Sequence, residues 1–305
     1  MTPLPAAQAE GAAPPCSVVV LTLNEEINLA ACLHSLAGFA DVHVLDSGSI
    51  DRTAQIAVEH GAAIAVNAFR SFGDQRNWAH RHMPLRHDWV LHLDADERMT
   101  PELRAEINQA LQADDGSHAG FLLAERTLLN GRWLKRAGQY PRYQARLVHR
   151  RRMVFIDHGH GQRERSALPM GRLRQPYDHH AFSHGIEHWL NKHAGYAMRE
   201  AETVLEDGRS SAELLRDLAT ARGVLRRRAL KAISLRLPLR SLLRRVHVLV
   251  ACGGLFDGRA GWQYARMMAV FQQMIDLCLS ERRAAARSAA APDSPAPARG
   301  KRLSP

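Results

Sequence analysis

Acidic and hydroxyl side chains follow three apolar runs in the first hundred residues. In a parallel sheet, neighbouring strands end at one edge, and ligands bind in the crevice beyond it. Acids at three such ends therefore predict one shared ligand site. The clusters are Thr22-Leu23-Asn24-Glu25, Asp46-Ser47-Gly48-Ser49 and Asp94-Ala95-Asp96.

The third cluster has the chemistry of a divalent-cation site. Carboxylate oxygens suit Mg²⁺ or Mn²⁺, which share their remaining positions with diphosphate oxygens. The sequence has neither GxGxxG after the first apolar run nor GxxxxGK[ST], so phosphates would have to be held through a cation. A lone Asp-x-Asp more often marks a solvated turn, and Asp46 and Ser47 also suit a turn or helix cap. Position after a buried strand favours the metal interpretation.

Apolar runs and helical periodicity alternate through this part of the chain. This order predicts an α/β fold with a mostly parallel sheet flanked by helices. Thr100-Pro101-Glu102 has the residue types that begin a helix. The predicted strands are Ser17–Leu23, Asp41–Leu45, Ala62–Asn67 and Trp89–Leu93, and the predicted helices are Ile27–Ser35, Thr53–His60 and Asp74–Met83.

The later sequence is less regular and more basic. Residues 118–185 are rich in Arg and His without clear periodicity, and helices are expected from Ile186 to Asp207, from 239 to 250 and from Trp262 to Leu279. We expect four segments: a disordered 1–15, an α/β domain over 16–207, a basic amphipathic helical region over 208–283 and a disordered tail over 284–305.

Charge and cysteine content restrict the function classes. The 305 residues carry a net charge of +10, and nine Arg or Lys residues but no acid lie between Leu218 and Phe256. Such a stretch is typical of a helix on an anionic membrane surface, or of a solvated face over a helical core. Four scattered cysteines favour a reducing cytoplasm. We expect neither a signal peptide nor a transmembrane segment.

Four sequence motifs lie close together in the chain: Val18–Glu26, Val44–Thr53, Gln75-Arg76-Asn77 and Leu93–Glu97. Together they resemble family 2 glycosyltransferases, in particular the bacterial branch that builds lipopolysaccharide core and other surface glycans. They occur in the family's order and spacing within the first hundred residues. Weaker similarity extends to the segments around Arg146, Gly159–Glu164 and Phe256–Gly261.

The resemblance implies a GT-A fold, a nucleotide-sugar donor, a divalent metal and inverting transfer. It implies that Asp46 binds the base, most simply uracil, that Asp94 lies near the ribose or the metal, and that Asp96 binds the metal. The other implied nucleotide-site residues are Thr22, Asn24, Glu25, Ser47, Gln75 and Arg76.

An inverting transfer needs a general base for the acceptor hydroxyl. The resemblance also implies a Glu-Asp pair on a helix after the sheet, as many members have, and no such pair occurs in the stretch where it is expected. Glu164, which resembles the acid of a Val-His-Glu motif in this branch, is the first candidate, and Asp157 is the second. An ion pair of Glu164 with Arg163 or Arg165 is the structural alternative.

Other functions remain as alternatives at this point. The charge alone allows a nucleic-acid-binding protein, although an aromatic content of 6% is thin for base stacking. A non-catalytic nucleotide-sugar-binding relative and a nucleotidyltransferase also use some of these residues. His158, His160, His179, His180 and His184 suit zinc, acceptor phosphate or packing. We predict hexose transfer from a UDP-sugar to a lipid-linked glycan, at the inner face of the cytoplasmic membrane, and leave the oligomeric state open.

Overall fold

The computed structural model describes residues 13–158, 161–206, 209–220, 222–234 and 239–290. The strands are β1 (Ser17–Thr22), β2 (Val42–Asp46), β3 (Ala63–Val66), β4 (Trp89–Asp94), β5 (Glu97–Arg98), β6 (Gly120–Leu129), β7 (Arg132–Trp133), β8 (Arg142–His149), β9 (Met153–His158), β10 (Gly161–Ser166) and β11 (Met170–His179). The helices are α1 (Leu29–Ser35), α2 (Thr53–Glu59), α3 (Phe72–His82), α4 (Pro101–Gln112), α5 (Gly185–Glu206), α6 (Ser211–Thr220), α7 (Gly223–Ser234), α8 (Arg240–Val246) and α9 (Gly258–Ala290).

The main sheet has the strand order β3-β2-β1-β4-β8-β6-β11-β5, with β7 paired to β6. Strands β3, β2, β1 and β4 are parallel, β8 runs antiparallel to β4 and β6, and β11 is parallel to β6. The register pairs Thr22 with Asp46 and Leu21 with Asp94. The polar residues after β1, β2 and β4 therefore meet at one edge, as predicted.

Successive residues of β1 supply cores on both faces of the sheet. Val18 and Val20 belong to a cluster that contains Leu29 of α1 and Leu103 of α4. Val19 lies in a second cluster with residues of α3 and β4. Helices on both faces explain why the first strand is continuously apolar.

The predicted elements of the first 112 residues are confirmed, with small shifts at their ends. Thr100 caps α4 as expected, because its Oγ1 accepts a hydrogen bond from the Leu103 N–H at 3.2 Å. The prediction that 118–185 is irregular is wrong, because β6 to β11 occupy most of it. In β9 the buried Met153 and Phe155 alternate with the exposed but equally apolar Val154 and Ile156. Because apolar and polar residues do not alternate in β9, the sequence does not show the two-residue period that indicates a strand.

The chain divides into two compact units. The first comprises the described residues up to Trp189 with Val248–Ala265, and the second comprises Leu190–His247 with the described residues from Arg266. Residues 248–265 thus belong with the sheet and not with the basic helices, and the predicted limits at 207 and 283 stay predictions. Helix α9 extends to Ala290, into the predicted tail.

The remaining expectations of disorder concern residues 1–12 and 291–305, which lie outside the described residues. Within the described ranges, we find no helix that combines the length and apolar composition of a transmembrane segment.

Candidate active site

Asp46, at the end of β2, organises the loops that follow the first two strands. Its Oδ1 accepts hydrogen bonds from Thr22 Oγ1 at 2.7 Å and Ser49 Oγ at 2.5 Å, and its Oδ2 accepts the N–H groups of Gly48 and Ser49 at 2.9 and 2.7 Å. Burial raises the pKa of Asp46, but these hydrogen bonds outweigh burial and lower it. Four donors fill a carboxylate's capacity, so the geometry favours loop organisation. Its assignment to the base stays a prediction.

The neighbouring predicted nucleotide residues join the same two loops. Asn24, with φ of 55°, accepts the Ile50 N–H at 2.9 Å through Oδ1, and its own N–H donates to Ser49 Oγ at 2.8 Å. The Glu25 N–H donates to Thr53 Oγ1 at 2.8 Å. These cross-links hold the loop after β1 against the start of α2.

Gln75 of α3 is buried and fixes Ser47. Its Nε2 donates to Ser47 Oγ at 2.8 Å and to the Asn67 carbonyl at 2.9 Å, while Oε1 accepts from Asn67 Nδ2. Ser47 and Gln75 therefore connect β2, the segment after β3 and α3 below the same edge of the sheet.

Asp94, at the end of β4, lies between two buried arginines. Arg76 Nη2 donates to Oδ1 at 3.0 Å, and Arg146 Nη2 donates to Oδ2 at 2.7 Å and to Glu97 Oε1. Burial opposes ionisation of Asp94, but the guanidinium groups of Arg146 and Arg76 hold its pKa well below the usual range. Burial raises the pKa of Glu97 to about 7. The two acids and two arginines form one hydrogen-bonded centre.

Asp96 faces a histidine that a second carboxylate orients. His179 Nε2 lies 3.2 Å from Asp96 Oδ2, and His179 Nδ1 lies 2.8 Å from Glu125 Oε1. Glu125 is buried and also accepts from Thr127 Oγ1 at 2.8 Å and Gln144 Nε2 at 2.9 Å. Burial lowers the pKa of His179, but its bonds to Asp96 and Glu125 raise it well above the ordinary value. The two carboxylates therefore favour the protonated form of His179.

The expected divalent metal fits one of the two predicted ligands better than the other. Both oxygens of Asp94 are taken by guanidinium groups, whereas Asp96 and His179 offer an oxygen and, once neutral, a nitrogen to the same point. A cation there would replace the proton on His179 Nε2. Among the described residues, no group of three or more acidic, His or Cys side chains has the arrangement of a metal site. Remaining positions would fall to donor phosphate oxygens and water.

A cavity of about 410 Å³ opens beside Asp94, within the usual size range of small-molecule sites. It brings together α3, β4, β6, β8 and the β9–β10 hairpin. Glu164, the first predicted base, lines it together with Asp94. The other lining residues are Phe72, Arg76, Leu122, Tyr143, Gln144, Ala145, Arg146 and Gln162.

The hairpin register explains why Glu164 reaches this cavity. Glu164 pairs with Phe155, and Gln162 pairs with Asp157, so their side chains share one face. Asn77 of α3 anchors that face by bonding the Phe155 N–H and carbonyl at 3.0 and 2.8 Å. In the part of the chain that the structure describes, Glu164 forms no hydrogen bond or ion pair. The arginines on either side of it in the sequence therefore do not pair with it.

Asp157 lies elsewhere on the same face. Its Oδ1 is 2.8 Å from the position that a Cβ on Gly73 would occupy, in the first turn of α3. The positive end of the helix dipole favours a carboxylate there. Asp157 is absent from the cavity lining, whereas Glu164 is part of it, and both base assignments stay predictions.

The structure brings Arg76, Asp94 and Glu164 together in the cavity. The other predicted nucleotide residues, Thr22, Asn24, Glu25, Asp46, Ser47 and Gln75, lie in the adjoining loops and α3. Sequence reasoning gave no role to Arg146, Glu97 or Glu125, and it left His179 among five similar histidines. An arginine between apolar neighbours in Ala145-Arg146-Leu147 was a usable signal, because buried arginines require partners. Of the cluster, His160 lies outside the described residues.

Comparisons with known proteins give the family. Residues 17–167 match the family Glycosyl transferase family 2. The lipopolysaccharide core biosynthesis glycosyltransferase LpsC of Rhizobium meliloti is 30% identical over 141 residues, or 45% of this chain and 51% of that protein. An uncharacterized glycosyltransferase of Rickettsia bellii is 35% identical over 92 residues, or 30% and 31% of the two chains. The matched region thus covers about half, or less, of the length of these relatives.

Solved structures give a weaker likeness. Glucosyl-3-phosphoglycerate synthase from Mycobacterium tuberculosis, in complex with Mn²⁺ and uridine-diphosphate-glucose, has a TM-score of 0.32 and 21% identity, covering 42% of this chain and 46% of that one. No functional assignment depends on so partial a likeness. The predicted α/β, GT-A type of fold is confirmed by the family match and the sheet. Residues 17–167 belong to glycosyl transferase family 2.

Proposed function

We propose that this glycosyltransferase moves a hexose, with inversion, from a UDP-sugar to a lipid-linked glycan such as lipopolysaccharide core. The family match supports the reaction class. The similarity to LpsC supports a surface-glycan acceptor. An acceptor with a lipid anchor implies work at the inner face of the cytoplasmic membrane, to which the regional positive charge is suited.

The observation that carries the proposal is the shared cavity of Asp94 and Glu164. An acceptor hydroxyl bound there has a carboxylate available to take its proton while its oxygen attacks the anomeric carbon. The bond from that carbon to the diphosphate breaks on the opposite side, which inverts the configuration. In the described structure Glu164 makes no competing ion pair, which supports its role as the base.

Asp96 and His179 are the residues that would hold the divalent metal, which supplies positive charge to the departing diphosphate. Arg76 and Arg146 line the cavity but are neutralised by Asp94 and Glu97. We infer that these arginines shape the site and orient Asp94.

The test compares two carboxylates on one hairpin face. UDP-sugars are screened for Mn²⁺-dependent hydrolysis by the full chain, and the anomer released is read by NMR. Glu164→Gln is expected to lower kcat about 10²- to 10³-fold with little change in the donor KM, because a general base acts in the transition state. Asp157→Asn is the matched control and should keep activity within about threefold of wild type.

Two outcomes would overturn the proposal. Equal activity of Glu164→Gln and wild type would exclude Glu164 as the base. Release of the retained anomer at first turnover would exclude the inverting mechanism.

A further inference from the structure

The turn at residues 130–139 and the segment at 250–263 are bonded to each other within the first compact unit. Asp257 accepts the N–H groups of Arg136 and Ala137 at 3.0 and 2.7 Å through Oδ2, and Asn130 Nδ2 donates to Gln263 Oε1 at 3.2 Å. The two segments therefore present one continuous surface.

Large apolar side chains project from this surface into solvent. Phe256 is 77% exposed, and the Arg136 guanidinium lies 4.2 Å from its ring centroid. Val250, Leu255 and Trp262 are 65%, 46% and 44% exposed. A cluster of exposed apolar side chains marks an interaction site more often than single ones do. We call these four residues, with Arg132, Lys135, Arg136 and Arg259, the basic-apolar patch.

The backbone under the patch is closely fitted. Gly253 has a φ of +74°, and a Cβ on Gly254 would lie 2.7 Å from the Val248 carbonyl oxygen. A Cβ on Gly261 would lie 1.9 Å from the Gly254 carbonyl oxygen. Only glycine fits at these positions, so Leu255 and Phe256 are held outward by a preformed turn. A preformed turn loses little entropy on binding.

The charge around the apolar side chains has one sign. Arg132, Lys135, Arg136 and Arg259 are all exposed. The acid within the patch segments, Asp257, has its carboxylate bonded to two backbone N–H groups. Arginines beside aliphatic and aromatic side chains suit the boundary between anionic headgroups and acyl chains. Val250 and Leu255 contribute nothing to base stacking, so the composition favours lipid over nucleic acid.

We propose that the basic-apolar patch docks the first compact unit on an anionic membrane surface. This inference rests on the proposed lipid-linked acceptor. It adds to the basic stretch of residues 218–256 a docking element in which the turn at 130–139 takes part. Inserting Phe256 and its neighbours would hold the sheet domain at the depth where a lipid-linked hydroxyl is found.

The test is co-sedimentation of the full chain with vesicles of phosphatidylcholine and phosphatidylglycerol at 3:1, and with phosphatidylcholine alone. Wild type should bind the anionic vesicles at least tenfold more tightly. Val250→Ser should weaken that binding about fivefold and Phe256→Ser at least tenfold, because each removes buried apolar area. Val58→Ser is the matched control, because Val58 is 64% exposed on α2, and it should bind as wild type.

Charge is tested separately. Arg259→Glu should weaken binding to the anionic vesicles by tenfold or more, whereas Arg81→Glu, an exposed position on α3, should change it less than threefold. Size-exclusion chromatography with light scattering accompanies each variant. A wild-type dimer that Phe256→Ser dissociates would assign the patch to a second copy of the chain and overturn the proposal.

Two further results would also overturn it: wild type that ignores anionic vesicles, or Phe256→Ser and Arg259→Glu variants that bind them as wild type does. The UDP-induced rise in melting temperature should persist in all patch variants. Its absence from wild type would count against the proposed function, and the vesicle results bear on docking alone.

Discussion

Two regions of the site differ in how many of their polar groups form hydrogen bonds within the protein. In the loops after β1 and β2, Asp46 has four protein donors, and Asn24 bonds both Ser49 and Ile50. On the β9–β10 hairpin, Glu164 faces a cavity of about 410 Å³, and the described residues offer it no ion pair. The closed region is built to hold a shape, and the open region is available to a ligand. Acidic side chains therefore have different roles even within one site.

The comparison is tested most strongly at the ion pairs beside Asp94, where protein partners occupy polar groups that also line the cavity. Arg146→Met leaves Asp94 and Glu97 buried without their shared partner, so the free energy of unfolding should fall by about 3–5 kcal/mol in urea denaturation. Arg142→Met is the control. The Arg142 side chain is 53% exposed and lies 3.4 Å from Glu125, so about 1 kcal/mol or less is expected. A smaller loss for Arg146→Met than for Arg142→Met would mean that the centre is not structural.

The packing beneath the hairpin should make stability depend on pH. His80 Nε2 lies 2.8 Å from His92 Nε2, and both rings contact Phe155. Burial lowers the pKa of His80 to about 4 and that of His92 well below 6.5. Below pH 6.5 the unfolded chain binds more protons than the folded one, so the stabilisation is complete above pH 6.5 and is lost as pH falls towards 4.

His80→Gln removes one of these two titrating groups. Between pH 7 and pH 4, its free energy of unfolding should fall by about 2–3 kcal/mol less than that of wild type. His34→Gln, at an exposed position on α1, should keep the wild-type slope. Parallel pH profiles for wild type and His80→Gln would refute the assignment.

A third change tests whether Asp96 and His179 are, like Glu164, available to a ligand, in this case a metal ion. Glu125→Gln weakens the partner that holds His179 at Nδ1, and Mn²⁺ affinity should fall about 10- to 100-fold, as for other groups that orient a ligand. Free Mn²⁺ is measured by electron paramagnetic resonance with UDP present. Glu102→Gln, exposed on α4, should bind Mn²⁺ as wild type. Unchanged affinity in Glu125→Gln would remove His179 from the metal site.

The smallest expected effect comes from the loops after β1 and β2. Ser49 Oγ donates to Asp46 and accepts the Asn24 N–H, so Ser49→Ala should lower the free energy of unfolding by about 1–2 kcal/mol. Ser117→Ala, which affects an exposed bond to His118, should cost less than about 0.5 kcal/mol. Equal values for the two variants would show that the loop network contributes nothing specific.

The sequence predicted the parallel part of the sheet because its strands are buried on both faces and are apolar throughout. Through the family resemblance it also gave both Asp94 and Glu164 roles in the active site, and these roles stay predictions. It could not show that Asp46 is saturated, because three of the four donors to it belong to the turn at Gly48-Ser49 and the fourth comes from the neighbouring strand.

The importance of His179 was hidden for a different reason. Its position beside Asp96 follows from the pairing of β11 with β5, which sets His179 opposite Glu97. The neighbouring sequence does not distinguish His179 from His180, the next residue in the chain. Likewise, Arg146 becomes a partner of Asp94 only when β8 pairs with β4. Long-range strand pairing therefore limited prediction of the site more than residue chemistry did.

The most direct test of a donor site at this edge of the sheet is the melting temperature with UDP, in MnCl₂ and in EDTA. A ligand that binds only the folded state raises it. We expect a Mn²⁺-dependent rise for wild type and for Glu164→Gln, and none for Asp96→Asn. No shift with UDP, GDP, CDP or dTDP, or a shift that survives both EDTA and Asp96→Asn, would contradict the account.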